Sequence, residues 1–296
     1  MEAGQCYICT MVGRGVCSCE DADGWQGICP YSEYVQLGKI VKESPWDRLA
    51  PAVISRKISL ADHLFAIRML LPAGLVHQYR RPGAYLMAEA LGWRVPLSVM
   101  RTGWEEGRAE GWVEVLLKVC GPKSQELMRQ EESWNIAGPY FNGLPGTEGL
   151  KEVPAFLAAR GTAAAPLIHM LECLGDETDN QTIYLDDENL PQAFLEEYLQ
   201  GRVIERIRMS SNPTEEWMKA QIRKTVAEEK KRAILLVSPY YIKRLTAGLT
   251  DEELSRVILP NPSNLCCGMG ICGACSFTDS TGVTVRLCKC TQTVLE

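Results

Sequence analysis

The stretch Cys267-Gly268-Met269-Gly270-Ile271-Cys272-Gly273-Ala274-Cys275, followed by Cys288, spaces four cysteines as C-x4-C-x2-C-x12-C. Three thiolates on one tight loop and a fourth on a nearby strand can surround a small iron–sulfur core. Gly268, Gly270 and Gly273 allow the loop to take positive φ and turn its backbone N–H groups toward the sulfides. Zinc also accepts four cysteines, but its sites are commonly built from paired C-x2-C arms, which the x4 arm fits poorly. The spacing therefore predicts an iron–sulfur centre on Cys267, Cys272, Cys275 and Cys288. Cys266 and Cys290 flank it and could each exchange with a neighbouring ligand.

Moving toward the N-terminus, residues 150–250 read as strands alternating with helices. Residues 153–160 are strand-like and end at Gly161. Thr162-Ala163-Ala164-Ala165-Pro166-Leu167 opens a helix, and further strands are expected at 181–185, 203–209 and 233–237. A helix is expected over 214–231, with Thr214, Glu215 and Glu216 at its start and basic residues crowding its end. This alternation predicts a doubly wound parallel sheet. Residues 46–149 instead carry short alternating runs at 53–60, 64–72, 83–87, 96–100, 111–119 and 136–143, separated by turn residues. That pattern predicts a small antiparallel barrel or sandwich.

The first 45 residues form a second cysteine block. Cys6, Cys9, Cys17, Cys19 and Cys29 are spaced C-x2-C-x7-C-x-C-x9-C among glycines, with few apolar residues to build a core. A metal centre would supply the missing order, with four of the five cysteines as ligands. An iron–sulfur cluster or zinc would each satisfy the spacing.

Composition narrows the function classes. The chain has 296 residues, 46% of them hydrophobic and 23% charged, enough for more than one globular domain. The net charge is −6 and no basic tract is interleaved with aromatics, which argues against a nucleic-acid partner. Apolar runs such as 163–168 and 233–237 are too short to span a bilayer, and residues 1–6 do not resemble an export signal. Thirteen cysteines without such a signal suggest metal ligation in a reducing, cytoplasmic setting. His63, His77 and His169 give no evident Cys–His catalytic pair, and Cys120 and Cys173 read as small core residues.

The order of barrel, α/β domain and C-terminal C-G-x-G-x-C-x-x-C…C segment resembles the ferredoxin–NADP reductase superfamily. Within it, the chain closely resembles the electron-transfer subunit of heteromeric dihydroorotate dehydrogenase and the related subunits of sulfhydrogenases and anaerobic sulfite reductase. The cysteine spacing is also close to that of plant-type ferredoxins. The resemblance covers residues 53–290 and implies FAD on the barrel, a pyridine nucleotide on the α/β domain and a [2Fe–2S] cluster in a C-terminal domain, here 251–296. Gly83 matches the family's glycine turn before a strand. Pro96-Leu97-Ser98 matches its R-P-[IL]-S segment, which contacts the flavin. The family's arginine precedes that proline directly; here Val95 does, so Arg94 would need a bulge to come round. Gly138-Pro139-Tyr140-Phe141-Asn142-Gly143 resembles the family's G-P-L-G-N-G-F turn.

The nucleotide motif departs most from the family pattern. Of G-G-x-G-x-A-P-L, only Gly161, Ala165, Pro166 and Leu167 remain, with Arg160 and Ala163 in place of glycines and Thr162 between them. Val237-Ser238-Pro239 replaces a C-G-P motif. These changes imply weakened or lost NAD(P) binding. The whole reads as an iron–sulfur flavoprotein electron-transfer subunit of an anaerobic, multi-subunit oxidoreductase, with no side chain required as acid or base and other oxidoreductase subunits as partners. A self-contained NAD(P)H-oxidising reductase of a ferredoxin-like acceptor is one alternative. A non-catalytic scaffold carrying clusters or zinc is the other.

Overall fold

The computed structural model describes residues 49–260, except 142, 145, 148–149, 151–152, 176–180, 189, 200–201 and 229–230, together with 276–278 and 284–286. The N-terminal cysteine block and the four predicted C-terminal ligands lie outside the described residues.

Six strands close into an antiparallel barrel in the order β1-β2-β5-β4-β3-β6: β1 (Ala50–Ala61), β2 (Leu64–Pro72), β3 (Tyr85–Ala90), β4 (Trp93–Trp104), β5 (Glu110–Lys118) and β6 (Ser133–Tyr140). The alternating pattern has the expected consequence. Leu86, Ala88, Val95, Leu97, Val99, Val113, Val115, Ile67, Met69 and Ile136 point inward and form one core. Two helices that the strand periodicity did not reveal sit beside the barrel: α1 (Ala73–Gln78) and α2 (Pro122–Arg129). The second allows Trp134 to be fully buried, because its indole N–H donates to the Leu127 carbonyl at 2.8 Å. β3 and β4 are joined at Leu91 and Gly92, both at positive φ, the backbone a tight two-residue hairpin turn needs.

The second unit is a five-stranded parallel sheet, ordered β11-β10-β7-β8-β9. Its strands are β7 (Ala155–Arg160), β8 (Gln181–Asp186), β9 (Ile204–Arg206), β10 (Arg232–Leu236) and β11 (Val257–Ile258). Helices α3 (Ala164–Leu174), α4 (Gln192–Leu199), α5 (Asn212–Val226), α6 (Pro239–Leu245) and α7 (Asp251–Leu254) connect them. The strand expected over 203–209 is only three residues long. The helix expected over 214–231 starts earlier, where the Ser211 hydroxyl accepts the Thr214 N–H at 3.3 Å, and ends at Val226. Cys120 is exposed and Cys173 half-buried, so neither is the core residue that composition suggested.

The two units share one hydrophobic cluster. Leu64, Ala66, Met100 and Leu116 from the outside of the barrel join Ala164, Ile168, Leu171 and Leu195 of α3 and α4. Charge pairs at the same seam link Arg101 with Glu172 and Arg56 with Glu197. Separately, β12 (Ser276–Thr278) and β13 (Thr284–Arg286) form an antiparallel pair, with Ser276 opposite Arg286. In the sequence, Cys275 immediately precedes this pair and Cys288 follows it by two residues.

Candidate functional site

The candidate flavin residues gather on the outer face of β3, β4 and β6. β3 and β4 pair without a break from Tyr85↔Ser98 to Ala90↔Trp93. Arg94, Pro96 and Ser98 therefore share one face, opposite the inward-facing Val95, Leu97 and Val99. No bulge interrupts the β3–β4 pairing between Arg94 and Ser98. β4 is irregular only farther on, between Val99 and Arg101 in its pairing with β5, and a second irregularity lies in β6. The register slips between Tyr85↔Tyr140 and Met87↔Ala137, so Gly138 and Pro139 form the bulge, with a cis peptide between them and Gly138 at φ 136°.

The bulge turns Tyr140 onto the outer face. Its ring stacks on Tyr85 at 5.2 Å between centroids, and Arg94 Nη1 donates to its hydroxyl at 3.3 Å. Beneath these rings lie Met87 and Ala137. Gly83 and Gly143 meet at one edge. A Cβ on Gly83 would overlap Leu144, and one on Gly143 would overlap the Gly83 carbonyl oxygen, so both positions require glycine. Leu97, by contrast, spends its side chain on the barrel core, leaving only backbone at that position for a ligand. The Tyr79 hydroxyl is buried beside Gly138 and has no hydrogen-bond partner among the described residues. Burial, and secondarily Tyr140, push its pKa above the ordinary tyrosine value. A flat apolar platform of aromatic rings with a cation and a hydroxyl at its border, edged by bare glycine backbone, fits a flavin.

The candidate nucleotide residues lie at the carboxyl ends of the parallel strands. The chain runs from β7 outward to β8 and β9, then crosses back to β10 and β11. The strand order therefore reverses between β7 and β10, where open α/β sheets bind ligands. Gly161, at φ 58°, makes the turn from β7 into a short 3-10 segment (Gly161–Ala163) and α3. Thr162 is exposed there, Ala165 is buried and Pro166 half-buried, both on α3.

Side chains of the chain itself meet across this crevice. Arg160 Nε donates to Asp186 Oδ2 at 3.1 Å, its Nη2 lies 3.6 Å from Glu188 Oε1, and its guanidinium sits 5.1 Å from the centre of the Tyr241 ring. A Cβ on Gly161 would overlap the Glu188 carboxylate. Asp186, only 5% exposed, also accepts the backbone N–H groups of Glu188 and Met209. Sequence reasoning noticed Arg160 but missed Asp186 and Glu188. The available signal was the acidic run Asp186-Asp187-Glu188 at the end of a strand.

One residue ties the two candidate sites together. His169, on α3 and 1% exposed, donates its Nε2 proton to the carbonyls of Tyr79 at 2.8 Å and Arg81 at 3.1 Å, in the loop that leads to Gly83. Its Nδ1 is buried without a partner among the described residues. Burial lowers its pKa to about 4, so the ring is neutral. Cys173 Sγ approaches Nε2 at 3.7 Å. That nitrogen carries the proton already given to the carbonyls, so it cannot act as a base toward the thiol.

No protein-family model matches the sequence, and no curated protein matches it. Solved structures do. The NADH-dependent reduced ferredoxin-NADP oxidoreductase, described for flavin-based electron bifurcation, matches with a TM-score of 0.54 at 20% identity, over 82% of this chain and 86% of its own. Phthalate dioxygenase reductase, a modular structure for electron transfer from pyridine nucleotides to [2Fe–2S], matches with a TM-score of 0.52 at 13% identity, over 81% and 94%. The chain has the ferredoxin–NADP reductase fold. A mutant of the Plasmodium falciparum ferredoxin-NADP+ reductase with 2'P-AMP shares that fold with a TM-score of 0.51 at 14% identity, over 71% of this chain and 95% of its own. In this reductase fold the barrel and the parallel sheet are the two units that carry the candidate sites above.

Proposed function

We propose that the protein is an iron–sulfur flavoprotein that relays electrons within a multi-subunit anaerobic oxidoreductase. The observation that carries this reading is the outer barrel face. Arg94, Pro96 and Ser98 are brought there by strand register and Tyr140 by the β6 bulge, beside the bare edge of Gly83 and Gly143. Arg94 would hold the FAD phosphates through a charge-assisted bond. Ser98, the backbone at Leu97, and the Gly138-Pro139 bulge would hold the ring system. A bound flavin supplies the conversion between an electron pair and single electrons. The chain's own residues orient it and tune it through burial and hydrogen bonding.

In this reading Cys267, Cys272, Cys275 and Cys288 hold the [2Fe–2S] cluster that receives single electrons, and four of Cys6, Cys9, Cys17, Cys19 and Cys29 hold a second cluster or zinc. The partners are other oxidoreductase subunits, reached through these terminal modules. The nucleotide site is degenerate, so hydride donation belongs to a partner. Anaerobic purification followed by a visible spectrum and flavin, iron, sulfide and zinc analysis tests the proposal. FAD with at least two irons and two sulfides per chain is expected. A colourless protein holding zinc alone would refute the relay and favour the scaffold.

A self-contained NAD(P)H-oxidising reductase is the second reading. It is favoured by the pyridine-nucleotide chemistry named for the solved structures that share the fold. Anaerobic bleaching of the purified chain by NADH or NADPH would select it.

A further inference from the structure

We infer that Arg160 and Glu188 close the dinucleotide crevice from within, and that this internal ion pair makes the α/β domain refuse pyridine nucleotides. The inference rests on the degenerate-site reading above and names the device responsible. Four observations converge on it.

The first is position. Arg160 ends β7, one of the two strands between which the sheet order reverses, and its guanidinium lies 5.1 Å from Tyr241 of α6, which follows the other, β10. A ligand entering at the carboxyl ends of β7 and β10 meets this side chain before it meets backbone. The second is the glycine turn. Gly161 keeps the backbone freedom that lets an anion approach the start of α3, but the Glu188 carboxylate is packed against its α-carbon. A negatively charged group of the protein thus sits where a phosphate would come.

The third is the backbone of Glu188, held at φ 49°, a region that side-chain-bearing residues rarely adopt. Its N–H donates to Asp186 Oδ1 at 3.1 Å, which fixes the turn and aims the carboxylate back toward Gly161. The fourth is charge. Arg160 is the cation that could have met a phosphate, but its Nε is engaged by Asp186 and its Nη2 lies close to Glu188. Asp187, next in line, is paired with Arg206. A dinucleotide would therefore face carboxylates and could recruit Arg160 only by breaking its existing pairs. Loss of family glycines alone predicts a weakened site; this arrangement predicts one that is occupied.

The test compares the full-length chain with its Glu188→Gly and Arg160→Gly/Glu188→Gly variants by equilibrium dialysis against NADH, NADPH and ADP. The wild type is expected to show no saturable binding of any of the three into the millimolar range. Glu188→Gly removes the carboxylate from the turn and releases Arg160 Nη2, while Nε stays on Asp186, so its affinity for ADP should rise by at least about tenfold. Because glycine tolerates positive φ, this variant should keep or raise the thermal midpoint, which guards against simple misfolding. The double variant opens the turn but removes the cation, so it should gain less for ADP than the single variant. Saturable micromolar binding of NADH or NADPH by the wild type would overturn the inference. So would a folded Glu188→Gly variant that gains no affinity for ADP. Flavin and iron content, measured on the same wild-type preparation, separates this result from failure of the electron-relay reading, since ADP binding is scored without electron transfer.

Discussion

Replacing His169 with glutamine should remove a specific part of the protein's acid sensitivity. The imidazole is almost fully buried at the seam between barrel and α/β unit, and burial holds it neutral with a pKa of about 4, below the ordinary histidine value of 6.5. A folded-state pKa below the unfolded one means that the unfolded chain takes up the proton first. The neutral, bonded histidine therefore contributes its full stability above about pH 6.5 and loses it progressively as the pH falls toward about 4. The gap of about 2.5 pH units corresponds to about 3 kcal/mol in total, of which about 2 kcal/mol is gone by about pH 5.

Glutamine can present an N–H donor to the Tyr79 and Arg81 carbonyls but does not titrate. Urea unfolding of wild type and His169→Gln at about pH 7.5 and about pH 5 would measure the difference directly. Carboxylates elsewhere contribute equally to both proteins and cancel. Wild type should lose about 2 kcal/mol more than the variant over this interval. Equal losses would show that the ring is not kept neutral at this seam. A resonance of His169 titrating near its unfolded value would show the same.

Three further outcomes are expected. Gly143→Ala should cost at least about 2 kcal/mol of stability and release flavin, because the added methyl overlaps the Gly83 carbonyl; thermal melts and flavin content of the purified variant check it. Arg94→Gln should leave the melt within about 0.5 kcal/mol of wild type yet weaken FAD retention about tenfold or more, read by flavin release on dialysis. Arg68→Leu should destabilise the chain by about 3 kcal/mol, since it strands the fully buried Glu114 that Arg68 meets at 2.9 Å; the companion Arg68→Leu/Glu114→Leu variant should recover most of that loss in urea unfolding.

The sequence by itself determined the two units and their order. Alternation with period two in residues 53–119 and strand–helix alternation after residue 153 are local patterns, because burial of one face imposes them on each element separately. The cysteine spacing and the broken glycine motif were equally visible, since both are statements about neighbours in the chain. Tertiary structure decided what depends on which elements come together. Strand register put Arg94 on the face it shares with Pro96 and Ser98, and the bulge that turns Tyr140 onto that face sits in β6. The Glu188 carboxylate reaches Gly161, and His169 reaches the Tyr79 carbonyl, only because the sheet places β8 beside β7 and packs α3 against the barrel. Those contacts join residues far apart in the chain, and their energy is realised only once separate elements have packed together, so no local pattern announces them.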